Sequence, residues 1–376
     1  MNLPLSVVEL LQSLVRIPSV NPHGTPGTDG VGEQRCAEFV AEFLRESGAR
    51  VELNEVLPGR PNVVGTWPSD RAGKPVLLFA PHTDTVSVAG MTIDPFSGER
   101  RDGKIWGRGA SDTKGPMAAM LWALRSERER IAALPYEVVF VGLASEEAGQ
   151  HGVKAFVAKR AQELRERGAF AVVGEPTSCD AVVAHKGALW LTLTTRGRAV
   201  HAAQPERGDN AIYKMADILR SIRDEIAPEL ARNSHPLLGH TTISAGTISG
   251  GSKINIVPDG CVAEVDVRFL PGEDALPEQL AARFRKICPE LEIEHTLSHP
   301  MLTDAAHPII HALVQCGARC VGAPWFSDAA IFGQAGIPAI ACGPGSIAQA
   351  HTEDEWIAEA DLERGVSFFR EFLGRL

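Results

Sequence analysis

Hydrophobic and polar positions follow two rhythms along this chain, and the change between them divides it. Up to about residue 180, short apolar runs that read as strands (VLLFAP at 76–81, VVFVGLA at 138–144, AVVG at 171–174) are interleaved with segments of helical period. The helical segments are LPLSVVELLQSLVRI near the start, EQRCAEFVAEFLRESG ending at Gly48, and GPMAAMLWALRSERER from Gly115. Such interleaving predicts a three-layer α/β domain around a largely parallel sheet.

The texture then changes. Residues 185–195 read as a strand. DNAIYKMADILRSIRDEI reads as a helix with Ile212, Met215, Ile218, Leu219 and Ile222 on one face, and TTISAGTISG as a second strand. CVAEVDVRF alternates, with Glu264, Asp266 and Arg268 on one face and Val265, Val267 and Phe269 on the other. A helix near 276–287 and the strand LEIEHTL complete the order β-α-β-β-α-β, which is ferredoxin-like. After about residue 298 the first texture returns: HPIIHALVQCGARC as a helix, then AIFGQAG, the strand IPAIAC and a last helix around DLERGVSFFREFL. The expected organisation is one domain from 1–180 plus 298–376, with a smaller domain, 181–297, inserted into it.

Length agrees, since 376 residues exceed the size at which a single core keeps growing. Composition, at 44% hydrophobic and 22% charged, is that of a soluble globular protein. With 37 Lys+Arg against 47 Asp+Glu, a net charge of −10 and no basic run, nucleic acid and anionic membranes are excluded as partners. The first helix carries Glu9 and Gln12 and has no basic leader, so it reads as amphipathic and not as a signal peptide. No stretch approaches the roughly 18 apolar residues of a membrane span. Seven cysteines without a CxxC pair argue against a disulfide framework or a zinc ribbon and point to a reducing cytoplasm. Cys316 and Cys320 read as core packing.

Candidate chemistry gathers where the apolar runs end: His82 and Asp84 in PHTDT, Asp112 in GASDTKG, Glu146 and Glu147 in ASEEAG, Glu175 in GEPT, and His351 in the Gly-rich GPGSIAQAHTEDEW. Loops leaving the carboxyl ends of parallel strands form one crevice, so these groups can converge. His82 and Asp84, two apart on an extended segment, point the same way, and Asp84 could accept the far ring N–H of His82. Each residue alone has an ordinary reading: an N-cap for Asp112, first-turn acids for Glu146 and Glu147, a solvated strand end for Glu175, a loop histidine for His351. Together the two imidazoles and the carboxylates supply the mixed donors that divalent metals take.

In HTDTV, GRGASDTKG, EEAG, GEPT, HAAQPERGDNAI and GPG followed by AHTEDEW, the chain resembles, over nearly its whole length, the di-zinc amidohydrolases that include acetylornithine deacetylase, succinyl-diaminopimelate desuccinylase, aminoacylase and glutamate carboxypeptidase. The resemblance implies a zinc-peptidase-like catalytic domain with an inserted dimerisation or lid domain, and two divalent ions, zinc first, with cobalt or manganese as alternatives. His82 and Glu175 would hold one ion, Glu147 and His351 the other, and Asp112 would bridge them. Glu146 would be the general base, taking a proton from water and returning it to the departing amine, and Asp84 the partner of His82. It further implies a cis bond after Asp112, a homodimer in which His201 supplies an oxyanion donor to a neighbouring subunit, and recognition of a substrate carboxylate by Arg268, whose alternative reading is a charge partner for a neighbouring acid. Asn255 and the backbone N–H groups of Gly343 and Gly345 are further substrate-binding candidates. His151, His185, Lys186, His235, His240 and His311 are read as non-catalytic.

GPGSIAQAH and Glu175 tilt the reading within the family towards deacylation of a small N-acetyl amino acid such as N-acetylornithine. Val200 and FSDAAIF depart from that pattern. A metallo-carboxypeptidase or dipeptidase and the desuccinylase are the alternative activities, and a non-catalytic binding protein of the same fold is the remaining one.

Overall fold

The computed structural model describes residues 4–23, 31–70 and 72–376. It divides into two compact units: Met1–Val183 with Thr303–Val321 and Ser327–Leu376, and Ala184–Leu302 with Gly322–Phe326. The second unit therefore runs past residue 297 and takes in a segment that carries no rhythm of its own in the sequence. Lys186 N–H donates to the Ala323 carbonyl at 3.1 Å and the rings of Trp190 and Phe326 meet at 73°, contacts that attach Gly322–Phe326 to it.

The sheet of the first unit runs in the order Arg50–Leu57, Arg60–Thr66, Glu137–Gly142, Val76–Pro81, Phe170–Gly174, Ala339–Ala341, Ala181–His185. Its four central strands, from Glu137–Gly142 to Ala339–Ala341, are mutually parallel. The flanks are antiparallel, so the sheet is mixed. All six residues of Val76–Pro81 are buried, which is why that strand reads as a continuous apolar run: it is covered on both faces. Helix Glu359–Arg375 places Phe369 and Phe372 edge-on against Phe79, at 5.9 and 6.4 Å, fixing the strand that ends just before His82. Such ring pairs add about 0.5–1.5 kcal/mol each beyond the area they bury.

The first helix, Val7–Val15, is capped by the Ser6 hydroxyl, which accepts the Glu9 N–H, and buries Leu10, Leu11 and Leu14. Lys114 is fully buried and donates its ammonium to the Leu14 and Ile17 carbonyls at 3.0 and 2.7 Å. The segment after Asp112 is thereby tied to the end of that helix. No helix among the described residues is long and apolar enough to cross a membrane, and all seven cysteines are free.

The second unit carries a four-stranded antiparallel sheet in the order Thr242–Gly250, Gly260–Phe269, Gly187–Arg196, Glu292–Ser298. Helices Ala211–Ser221 and Leu276–Ile287 pack on it, giving the ferredoxin-like order expected from the alternation. Val265, Val267 and Phe269 are buried as the pattern required, and the helix buries Met215 and Ile218. Thr242–Gly250 lies at one edge of this sheet and is almost wholly exposed.

Candidate metal centre

Parallel register builds the site. Pro81 is level with Gly174, and His82 forms a parallel bridge with Leu143, so the residues following three neighbouring strands emerge at one edge. They are His82 and Asp84, Glu146 and Glu147, and Glu175. Asp112 joins them from the loop before helix Lys114–Ser126, where the Thr113 hydroxyl donates to the Gly174 carbonyl at 2.6 Å. The Asp112–Thr113 peptide is cis, as the resemblance implied.

Three overlapping sets of donor atoms, each within 4.8 Å of one another, come from these residues: His82, Asp112 and Glu175; His82, Glu146 and Glu147; Asp112, Glu147 and His351. Asp112 is shared between the outer two. One of its oxygens lies 3.1 Å from His82 Nε2 and the other 3.4 Å from His351 Nε2. His351 Nε2 also stands 3.2 Å from Glu147 Oε2. Imidazole and carboxylate donors in this proportion suit zinc and its neighbours, and the sharing of Asp112 suits two ions.

Burial and mutual charge shift the titratable groups of this set in opposite directions. Burial first, and then neighbouring carboxylates, push the carboxyls of Glu146 and Glu175 well above their ordinary range; for Glu146, His82 opposes this while Asp328, Glu175 and Glu147 reinforce it. Burial likewise raises Glu147, against the pull of His351. Burial works against charge on His82, but Asp112 and Asp84 outweigh it and hold that pKa well above normal. Hydrogen bonds to Asp112 and Glu147 raise His351 to about 10. Burial works to raise Asp112 as well, but its hydrogen bonds with His351 and His82 outweigh that and hold its carboxyl well below the usual range.

Asp84 faces His82 with its backbone as well as its carboxylate. The nearest partner of His82 Nδ1 is the Asp84 backbone carbonyl, at 2.9 Å, with the carboxylate 3.5 Å away. The carbonyl fixes Nδ1 as the donor and turns Nε2 towards Asp112, the tautomer a metal ligand requires. The Asp84 carboxylate instead accepts the N–H groups of Glu146 and Glu147 at 3.0 and 3.1 Å and the Asn21 amide at 2.8 Å.

The Gly343 expectation also needs correction. Gly343 and Gly345 are both buried. Gly343 N–H donates to the Thr177 hydroxyl and so is not open to an anion, and the Gly343 and Gly345 carbonyls accept from the loop after Glu175. Their smallness serves close packing: a Cβ on Gly343 would stand 2.8 Å from the Glu175 carbonyl, and Gly345 has φ +89°.

The remaining candidates lie in the second unit. His201 and Asn255 are adjacent there: Ala202 N–H donates to the Asn255 carbonyl at 2.9 Å, and His201 bridges to Ile256. His201 Nδ1 accepts the Ala203 N–H, which leaves Nε2 as the outward nitrogen of an exposed ring. Arg268 donates Nε and Nη2 to Asp266, two residues earlier on the same face, at 2.9 and 3.0 Å. Its fork is therefore already engaged with a carboxylate, the alternative that its strand position allowed.

Two residues near the centre had no assigned part in the sequence reading. Asp328, in FSDAAIF, is buried, receives the Gln150 amide at 3.1 Å, has no partner for its second oxygen among the described residues, and is pushed up to about 7 by burial. Glu355, in TEDEW, is fully buried and accepts the N–H groups of Gly109, Ser111 and Asp112 at 3.1, 2.8 and 2.8 Å together with the Arg108 guanidinium at 2.9 Å. Arg108 also donates to the Thr352 carbonyl, so one ion pair holds the Asp112 loop and the His351 loop together. Glu355→Ala leaves a buried guanidinium and three N–H groups without their acceptor and is expected to destabilise the protein by about 3–5 kcal/mol. Glu355→Gln, keeping an acceptor oxygen, should lose less. Urea unfolding checks this, and an unchanged midpoint for the alanine variant would contradict it.

The comparisons with known proteins agree with this geometry. A family model described as peptidase family M20/M25/M40 matches residues 78–375. The chain belongs to that family. Acetylornithine deacetylase of Proteus mirabilis (strain HI4320) is 31% identical in an alignment covering 100% of this chain and 97% of that one. Among solved structures, an M20 family metallo-carboxypeptidase from Sulfolobus solfataricus superposes with a TM-score of 0.80 at 19% identity, covering 98% of both chains. A Bacillus subtilis protein described as a dinuclear metal binding peptidase of the M20 family gives 0.66 at 17% identity over 98% of this chain and 96% of that one. The M20 chain described here is thus a hydrolase of a family with dinuclear members.

Proposed function

We propose that this M20 enzyme hydrolyses the amide of a small N-acyl amino acid, with N-acetylornithine as the leading example. The observation that carries the reaction is the Asp112 carboxylate placed between the His82 and His351 clusters. His82 and Glu175 would hold one divalent ion, Glu147 and His351 the other, with Asp112 shared. When bound, such a pair supplies Lewis acidity to the amide carbonyl and makes a water acidic enough to react near neutral pH.

Glu146 is the proton carrier. Its carboxyl is buried among the ligands, and burial gives it the raised proton affinity that a base working near neutrality needs. It takes a proton from the attacking water and gives it to the leaving nitrogen. Asp84 holds both glutamate N–H groups and so keeps Glu146 and Glu147 in place. The amino-acid half of the substrate would be gripped by Arg268, in exchange with Asp266, and by Asn255.

Full-length similarity to an acetylornithine deacetylase favours the deacylase reading, and the carboxypeptidase neighbour supports a peptidase as the second. A panel of N-acetyl, N-succinyl and N-formyl amino acids beside dipeptides decides between them. N-acetylornithine should be turned over with a higher kcat/KM than its carboxamide, because the guanidinium fork reads the carboxylate. Equal values would remove the carboxylate recognition, and faster cleavage of dipeptides would move the assignment to peptidase.

His201 would donate to the developing oxyanion from the second subunit of a two-fold dimer. The exposed edge strand Thr242–Gly250, with Ile248 on it, and the exposed side chain of Tyr213 offer the surface for it. Mixing inactive His201→Ala and Glu146→Ala subunits should recover up to a quarter or so of parent activity, since some hybrid dimers then hold one complete site. Proven subunit exchange without recovery would exclude sharing between subunits.

A further inference from the structure

Glu146 and Glu147 follow a residue whose backbone the chain has to force. Ser145 has φ +66°, in the left-handed region that residues with a Cβ seldom occupy. Such a conformation persists only where its surroundings over-determine it. Here Ser145 N–H donates to Glu33 Oε1 at 3.0 Å. The same carboxylate receives Arg60 Nε and Nη2, each at 2.6 Å, and both side chains are almost fully buried. From the same strand as Arg60, Asn62 accepts the Ala144 N–H at 2.9 Å and donates to the Gly152 carbonyl at 2.8 Å, closing both ends of the loop.

Glu33 occupies the position before helix Gln34–Glu46, where an acid would ordinarily cap the helix, yet its carboxylate makes no capping bond. It is turned inward to Arg60 and Ser145. A buried ion pair is weak as a source of stability, because desolvating both charges offsets their attraction. What this one has that a hydrophobic pair would lack is a fixed, charged acceptor for one N–H.

We propose that Glu33 and Arg60 are positioning residues: the pair locks the Ser145 turn and thereby sets the placement of Glu146 and Glu147. This rests on the reading of Glu146 as proton carrier and Glu147 as metal ligand. Arg60 acts through Glu33, and neither touches the reacting atoms.

The test uses the full chain with Glu33→Ala, Glu33→Gln, Arg60→Met and Arg60→Lys. Arg167→Met is the control, because Arg167 donates to the Lys74 carbonyl and to Glu137 at the amino ends of the central strands, away from the strand ends that carry the ligands. Glu33→Ala and Arg60→Met should lower kcat about ten- to a hundredfold with KM within about twofold, and should weaken zinc binding at least about tenfold in competition with a chromogenic chelator. Glu33→Gln keeps an acceptor for Ser145 N–H and should recover most of both. Arg60→Lys should lie between, and Arg167→Met should lose stability to urea with kcat intact. If the Glu33 and Arg60 variants lose stability only, as Arg167→Met does, or if Gln is no better than Ala at position 33, the proposal is overturned. Should Glu146→Gln itself keep parent activity, the failure lies with the reading of the site and not with the strut.

Discussion

Glu146→Gln is expected to reduce kcat by about 10²–10⁴-fold, the usual worth of a positioned acid-base group, while the protein keeps its metal. The substitution preserves volume and hydrogen-bonding reach at a buried position whose backbone N–H is already held by Asp84, so the fold has no reason to move. Only the ability to take and return a proton is lost. Glu147→Ala has the opposite signature. It removes the carboxylate that faces His351 at 3.2 Å and should empty one of the two ion positions, with activity returning in part at high metal concentration. Steady-state kinetics beside metal analysis separates the two variants, and parent-like kcat in Glu146→Gln would refute the assignment of the base.

Removing metal should have the second large effect. Chelation is expected to abolish turnover and to lower the unfolding midpoint, because the buried Asp112, Glu146 and Glu175 and the half-buried Glu147 then crowd together with His82 and His351 to balance them. Saturation to a thousand times Kd would restore about 4 kcal/mol per independent site by mass action. The direction of the pH effect follows from the ligand set itself. Hydrogen bonds to Asp112 and Glu147 raise His351 to about 10, so near neutrality it holds a proton that a metal must displace, and Glu147, Glu175 and His82 are shifted in the same direction. Binding should release protons, and affinity should rise with pH through that range. Identical turnover and unfolding curves with and without chelator would contradict the metal centre.

Much of this was legible in the chain because the ligands follow apolar runs. His82 and Glu175 stand directly after buried strands, and Glu146 and Glu147 a few residues beyond a third, and a parallel register brings such ends together whatever their separation in sequence. Strict alternation over 260–269 likewise announced a strand with one buried face. What lay hidden depends on long-range hydrogen bonding that has no period. Glu355 receives N–H groups from residues more than 240 positions earlier, and Glu33 reaches Ser145 across 112 positions. Asp328 is unremarkable in FSDAAIF until burial strips it of water. The Gly343 error came from treating a Gly-Pro-Gly string as an open cradle, when its N–H was needed to close the loop onto Thr177. The Arg268–Asp266 pair was visible in principle, two residues on one strand face, but alternation cannot say whether a fork is free or taken.

Anomalous diffraction from crystals grown with zinc tests the central claim most directly. Two peaks are predicted, one among His82, Asp112 and Glu175 and one among Asp112, Glu147 and His351, at ligand distances of about 2.0–2.2 Å. A single peak with Glu147 and His351 left bare, or two peaks that do not share Asp112, would contradict it.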